Sequence, residues 1–237
     1  MVPREVEGLR GVALALALLA APAVRGDDAP APPDCDRLWQ ATRSLCKAGE
    51  RAAGEEKTRL LGQAIAAGEE AVRRCPGRVE AHYWLGASYG RYAEAKGGLT
   101  ALRLVGRIRG EMEASIRLQR DYEGGDAFLA LGELDLQVPR LLGGNRTRGV
   151  ARLEEGLRVA PGNLEIRLAL AEAYLRAGRR PEALVLLRSI RDAPVADASS
   201  DETRRRAREL LQELEPRAGP PSGAPGPTDA PPRPEAR

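Results

Sequence analysis

The chain has 237 residues, 43% of them hydrophobic, which is enough to bury a core in one domain or two. Only 3% are aromatic, so the composition favours helices over sheets. Positive and negative residues are interleaved, 37 against 34, and the net charge of +3 lends no support to nucleic-acid binding.

The N-terminus has the pattern of a secretory signal peptide. Arg4 and Arg10 form a basic start, residues 11–19 are apolar, and Ala-Pro-Ala at 21–23 resembles a cleavage site. The apolar run is too short to span a bilayer, and no cysteine follows closely enough for lipid attachment. We therefore predict a signal peptide over residues 1–23, a linker over 24–33 and export, with the periplasm of a bacterium as the first choice.

Residues 34–215 predict a chain of amphipathic helices, because apolar residues recur with helical spacing between turn signals. The predicted helical segments are 34–53, 55–74, 79–98, 110–118, 125–137 and 149–160, followed by a hairpin over 161–194 and a last helix beginning at Ser199 or Ser200. No single helix could bury its apolar stripe alone. The pattern therefore predicts an all-α solenoid of helical hairpins, closed by a capping helix.

The hairpin at residues 161–194 has the clearest boundaries. Asn163 is a natural N-cap after a Pro-Gly turn, Gly178 fits a left-handed helix stop, and Pro181 suits the first turn of the second helix. Beyond residue 215 the composition changes abruptly, since half of the 22 residues of 216–237 are Pro or Gly. A segment with so little to bury is predicted to be a disordered tail.

The hairpins resemble the tetratricopeptide repeat, which places large, small and aromatic residues at set positions. Its landmarks here are Leu170, Ala171, Tyr174, Ala183, Leu187 and Ile190, with Leu85, Gly86, Tyr89, Leu131, Gly132, Leu153 and Gly156 in other copies. The turn positions Pro76, Arg120, Pro161 and Pro194 are 44, 41 and 33 residues apart. Because the family repeat is about 34 residues, the first two intervals predict insertions at 96–107 and 138–147.

Three longer stretches resemble the periplasmic T-component proteins of TRAP-type transporters. They are HYWLGASYGRY, EMEASIRLQRDYEGGDAFLALGEL and VPRLLGGNRTRGVARLEEGLRVAP, and the resemblance covers most of residues 35–190. It implies a helical, non-enzymatic protein that partners a solute-binding protein and holds a hydrophobic ligand. Those relatives are commonly lipoproteins, whereas this chain lacks the lipid-attachment cysteine.

The apolar run at residues 99–108 is the main candidate binding region. Such residues could pack against the next hairpin, line a ligand groove or form a self-association surface, and neighbouring arginines could attract an anionic group. The candidate binding residues are Tyr83, Tyr89, Tyr92, Leu99, Leu102, Arg103, Val105, Arg107 and Ile108.

The three cysteines can be paired by geometry. Cys35 and Cys46 lie eleven residues apart on one helix, a rise of about 16 Å, which is too far for a disulfide. Folding the first hairpin about residue 55 brings Cys35 opposite Cys75, so these two are predicted to form a bridge. Cys46 would then be a buried free thiol.

The sequence gives little support for a catalytic site or a metal site. Residues 86–90 match the G-x-S-x-G pattern of hydrolases, but that pattern requires a strand and a strained turn, and here it lies within a helix. The single histidine, His82, has no companion at metal-ligand spacing. We predict no cofactor and no metal.

The sequence as a whole predicts an exported binding or scaffold protein without catalytic activity. The leading hypothesis is a T-component-like partner of a solute-binding protein, with a hydrophobic small ligand or self-association as further possibilities. The alternatives are a general envelope-assembly adaptor that binds extended peptides and, last, a serine hydrolase that uses Ser88.

Overall fold

The computed structural model describes residues 33–194 and 198–215, and within these ranges it is helical, without strands. This confirms the predicted all-α class. The helices are α1 (Pro33–Arg51), α2 (Gly54–Arg74), α3 (Val79–Lys96), α4 (Gly98–Leu118), α5 (Asp126–Gln137), α6 (Arg146–Val159), α7 (Leu164–Arg176), α8 (Arg180–Arg191) and α9 (Ala198–Leu214). The predicted signal peptide and tail, and the predicted linker up to residue 32, lie outside the described residues.

The helices pair in sequence order as four hairpins, α1 with α2, α3 with α4, α5 with α6 and α7 with α8. Helix α9 packs on α8 and α7, and buries Ala207, Leu210 and Leu211 along one stripe. Its other side is rich in Arg and Glu, as expected of a helix that closes the end of a helical stack. The predicted hairpin solenoid with a C-terminal capping helix is therefore confirmed.

The first predicted insertion, at residues 96–107, takes the form of longer helices. Helix α3 ends at Lys96, Gly97 alone makes the turn with φ +60°, and α4 runs without interruption from Gly98. The extra residues lengthen both helices of this hairpin instead of forming a loop. The physical reason is that Ala101, Leu104 and Ile108 keep helical spacing and pack into the core that α3 shares.

The second predicted insertion, at 138–147, is shorter than expected. A 3-10 turn occupies Arg140–Leu142, and α6 begins at Arg146, three residues before the predicted start. Asn145 caps α6, because its side-chain oxygen accepts a hydrogen bond from the Arg148 backbone N–H at 3.0 Å. The predicted cap of α7 is confirmed in the same way, since Asn163 accepts from the Ile166 N–H at 3.0 Å.

A buried carboxylate holds the loop between α5 and α6. Asp135 has no exposed side-chain surface, and its oxygens accept hydrogen bonds from Arg148 Nε at 2.6 Å and from Arg109 Nη2 at 2.7 Å. Both arginines also donate to the Gly143 carbonyl, so one charge cluster ties α4, α5, α6 and this loop together. Burial alone would raise the pKa of Asp135, but the hydrogen bonds from the arginines outweigh it and hold the pKa below its ordinary value.

Small residues allow the helices of the third hairpin to approach closely. A Cβ atom on Gly132 of α5 would lie 2.6 Å from the Leu153 Cγ of α6, so no larger residue fits at this crossing. Gly86 approaches the Met112 Cε of α4 in a similar way, at 3.0 Å. Gly90, the other glycine of the 86–90 motif, has open space around it.

Candidate functional site

An open groove of about 470 Å³ lies between α3, the N-terminal half of α4 and α5. Its floor is mostly apolar, and charged side chains lie along its sides. The apolar lining includes Ala87, Ala101, Leu102, Val105, Ile108, Met112, Leu129, Ala130 and Leu134.

The groove exists because α3 and α5 do not pack on each other as α1 and α3 do. The turn Tyr122–Gly125 lies between them, with the Tyr122 ring 5.2 Å from the Tyr83 ring and its hydroxyl accepting from Trp84 Nε1 at 3.2 Å. Three successive residues of this turn have positive φ, at Glu123, Gly124 and Gly125. Because glycine adopts that conformation at little cost, the Gly-Gly pair is what allows the chain to turn here.

The concave surface continues past α5. A second depression of about 360 Å³ lies between α5, α6 and α7, and Glu133 and Gln137 line both it and the groove. The two depressions thus form one trough across the second, third and fourth hairpins, with Glu133 near its middle.

Carboxylates predominate among the charged groups of the trough. Glu94 pairs with Arg91, Glu172 pairs with Arg176, and both oxygens of Asp126 accept hydrogen bonds from neighbouring side chains. Glu133 has no ion pair within the described part of the chain. Its side chain is exposed on the concave surface; desolvation by the walls of the trough and the nearby charges of Glu94, Glu165 and Glu172 raise its pKa.

Of the three tyrosines predicted to bind, only Tyr83 lines the groove. It is buried at one end, where its hydroxyl donates to Asp126 at 3.2 Å. Tyr89 faces α2 instead and donates to Glu69 at 2.6 Å; burial, together with Glu69, raises its pKa to about 12. Tyr92 is half-buried and its ring lies beside Gly62 of α2. Tyr89 and Tyr92 therefore lie outside the groove, because their positions on α3 face the preceding hairpin.

The candidate binding residues on α4 likewise include some that line the groove and some that do not. Leu102, Val105 and Ile108 line the groove on one side of the helix. Arg107 lies on the opposite side and donates to Glu69 and to the Tyr89 hydroxyl, so it is not available to attract an anionic ligand into the groove. Leu99 and Arg103 are exposed and are not part of the groove lining.

The α5 wall of the groove was missed by sequence reasoning. Leu131 and Gly132 were recognised as repeat landmarks, and both are buried against neighbouring helices. Residues on the other side of the same helix face the groove, including Leu129, Ala130 and Glu133. The sequence contained the information needed to predict this wall, because the spacing of the buried landmarks on a helix also indicates which residues lie on its exposed side.

Comparison with known proteins places the chain in a family. A family model described as regulator of microtubule dynamics protein 1-3 matches residues 18–140, just over half of the chain. The chain belongs to this family. A second model, described as tetratricopeptide repeat, matches residues 141–199, which confirms the predicted repeat. A search of curated proteins returned no match.

This member of the regulator of microtubule dynamics protein 1-3 family is also similar to a solved structure. That protein is TTC0263, described as a thermophilic TPR protein in Thermus thermophilus. The match has a TM-score of 0.56 and 24% identity, and covers 76% of this chain and 84% of the other. The similarity supports the repeat fold of this family member.

In this family member a disulfide joins Cys35 to Cys75, with the two Cα atoms 6.0 Å apart. It connects the start of α1 to the end of α2, at the open end of the first hairpin. Cys46 is a buried free thiol, and burial raises its pKa, which disfavours the reactive thiolate.

The serine of the hydrolase-like motif is buried in the core of this family member. Ser88 lies within α3 and its hydroxyl donates to the Trp84 carbonyl at 2.7 Å. It is therefore not presented as a nucleophile on an exposed turn. Among the described residues, no three His, Cys, Asp or Glu side chains are grouped in a way that could hold a metal ion.

His82 joins three parts of the fold. Its Nδ1 lies 2.6 Å from Glu111 Oε2 of α4 and its Nε2 lies 2.9 Å from the Pro76 carbonyl, next to the disulfide. Both partners are acceptors, so only the protonated imidazolium satisfies both contacts. The hydrogen bond to Glu111 raises the pKa of His82, against the opposing effects of burial and of Arg117.

We expect His82 to make stability depend on pH near neutrality. Since its pKa is raised on folding, its contribution is fully present below about pH 6.5, the ordinary value, and is lost as the pH rises through the folded-state pKa. His82→Gln should lower the free energy of unfolding by about 1.5–3 kcal/mol at pH 6 and by less at pH 9. Urea unfolding at both pH values measures this, and His82 is the only histidine in the chain. Equal losses at the two pH values would contradict the prediction.

Proposed function

We propose that this protein binds a segment of another protein in the trough formed by α3, α4, α5 and α7. The segment would carry apolar side chains flanked by Lys or Arg. The observation that carries the proposal is the unpaired carboxylate of Glu133 in the middle of an open, apolar concave surface.

The fold supports the general part of the proposal, because tetratricopeptide-like stacks are protein-interaction scaffolds whose concave surface is extended and preformed. An open trough suits an elongated partner that lies along it. Binding then requires little rearrangement of the scaffold.

The charges of the trough support the more specific part of the proposal, which is that the bound segment carries Lys or Arg. Glu133 is exposed on the concave surface with the like charges of Glu94, Glu165 and Glu172 nearby, so a cation that approaches it is attracted. A Lys or Arg placed against Glu133 would form a charge-assisted hydrogen bond. Neighbouring apolar side chains of the partner would cover the groove floor.

The compartment and the named partner belong to the same proposal. The disulfide supports export into an oxidising compartment, since disulfides rarely persist in reducing ones. The resemblance to T-component proteins adds a solute-binding protein as the specific partner and a hydrophobic small molecule as a possible second occupant of the groove. Affinity capture from the periplasm with mass spectrometry tests this, and failure to recover a solute-binding protein would remove the specific partner while leaving the general proposal intact.

The general proposal is tested with a peptide array in which apolar and basic positions are varied independently. We expect binders to contain both, and Glu133→Lys to weaken them at least tenfold, which corresponds to about 1.4 kcal/mol. Glu213→Lys, an exposed position on α9, makes the same charge change away from the trough and should leave binding unchanged. The proposal would be overturned if peptides without Lys or Arg bound equally well, or if Glu133→Lys left the affinity unchanged.

A further inference from the structure

Four exposed leucines lie at the ends of the second and third hairpins, two in the first turns of α4 and two on the turn after α5. Leu99 is 73% exposed and Leu102 38% exposed at the start of α4, while Leu141 and Leu142 are 99% and 49% exposed on the turn after α5. We call these four residues the leucine edge. They account for four of the six large hydrophobic side chains that are exposed in the described part of the chain.

The two turns lie at the same end of the groove. Gly97 of the first turn, Leu102 of α4, and Val138 and Pro139 of the second turn line it together, and Arg109 of α4 reaches the Gly143 carbonyl in the second loop. The leucine edge is therefore one surface, and Leu102 is shared between it and the groove.

The turn that carries Leu141 is held in place. The Leu142 N–H donates to the Pro139 carbonyl at 2.8 Å, and the Asn145 N–H donates to the Asp135 carbonyl at 3.0 Å. The buried Asp135 cluster anchors the same loop through Gly143. A loop with this much internal bonding presents its two leucines to solvent in a defined conformation, although folding would have favoured burying them.

The charged residues around the leucine edge are basic. Lys96, Arg103 and Arg140 are all exposed, and neither arginine lies within salt-bridge distance of a carboxylate in the described residues. The nearest acidic groups along the chain, Glu94 and Asp135, are already paired with arginines. The surface therefore combines protruding apolar tips with uncompensated positive charge.

We infer that the leucine edge docks on the surface of an anionic lipid bilayer. The leucine side chains enter the boundary between head groups and acyl chains, and the three cations lie over lipid phosphates. A bilayer fits better than a protein pocket, because a soft interface accepts separate protruding tips without a matching concavity. No helix in the described part of the chain is long and apolar enough to cross a membrane, so this contact is peripheral.

Vesicle co-sedimentation of the purified protein tests the inference. We expect binding to vesicles of phosphatidylcholine with 30% phosphatidylglycerol, and little binding to phosphatidylcholine alone. Each cation near an anionic surface contributes about 1 kcal/mol, so Arg103→Glu with Arg140→Glu, neither of which lines the trough, should weaken binding by more than about 25-fold. Added salt should weaken it as well.

The apolar contribution is tested separately. Leu141→Glu should weaken vesicle binding at least fivefold, whereas Val185→Glu, which changes a 66% exposed residue on α8, should not alter it. Circular dichroism checks that all variants are folded. Equal binding to neutral and anionic vesicles, no effect of Leu141→Glu, or capture by a protein receptor without vesicle binding would each overturn the inference. None of these outcomes depends on whether a peptide binds in the trough.

Discussion

Replacing Asp135 with alanine is expected to lower the free energy of unfolding by about 3–5 kcal/mol. The carboxylate is fully buried and accepts hydrogen bonds from Arg148 and Arg109. Its removal leaves two guanidinium groups facing each other across a cavity, and it releases the loop that they hold through Gly143. Urea unfolding followed by circular dichroism measures the loss.

The matched control is Glu56→Ala, which breaks the fully exposed pair between Glu56 and Arg59 on α2. Pairs of this kind contribute little, so no clear change in stability is expected. Asp135 is also expected to make the free energy of unfolding fall at acid pH. Because its pKa is lowered on folding, its contribution is present above about pH 4, the ordinary value, and is lost as the pH falls through the folded-state pKa. A loss similar to that of Glu56→Ala would show that the cluster does not hold the loop.

Removing the disulfide is expected to cost about 4 kcal/mol. Cys35 and Cys75 are 40 residues apart, and closing a loop of that length restricts the unfolded chain by about this amount. Unfolding of the unmodified protein should therefore shift to a lower denaturant concentration when reductant is added.

The control for this experiment is the double variant Cys35→Ala, Cys75→Ala. It should unfold where the reduced protein does, and reductant should not change it further, since Cys46 is a free thiol in both proteins. If added reductant leaves the denaturant midpoint of the unmodified protein unchanged, the bridge does not form or does not stabilise the fold.

The trough and the leucine edge are contiguous, because Leu102 belongs to both. If both proposals hold, a partner segment bound in the trough lies next to the membrane surface. The variants separate the two roles, since Glu133→Lys affects peptide binding and Leu141→Glu affects vesicle binding.

The amino-acid sequence by itself determined the helices, their pairing and several of their ends. These depend on local physics: apolar residues at helical spacing, the Asn163 cap and the Gly178 stop are each decided within one or two turns of the chain. The approach of Cys35 to Cys75 has a similar origin, because two helices of nearly equal length on either side of one turn bring those residues together.

Only the tertiary structure decided which side of each helix meets solvent, a neighbour or the groove. Tyr89 and Arg107 were predicted to face a ligand and instead bind Glu69 of α2, while the groove wall on α5 was missed. The insertion expected at residues 96–107 lengthens α3 and α4, because its apolar residues keep helical spacing. The Asp135 cluster joins residues from three helices, so no local pattern could have indicated it. Local sequence specifies secondary structure, but groove and charge cluster arise from contacts between residues far apart in the chain.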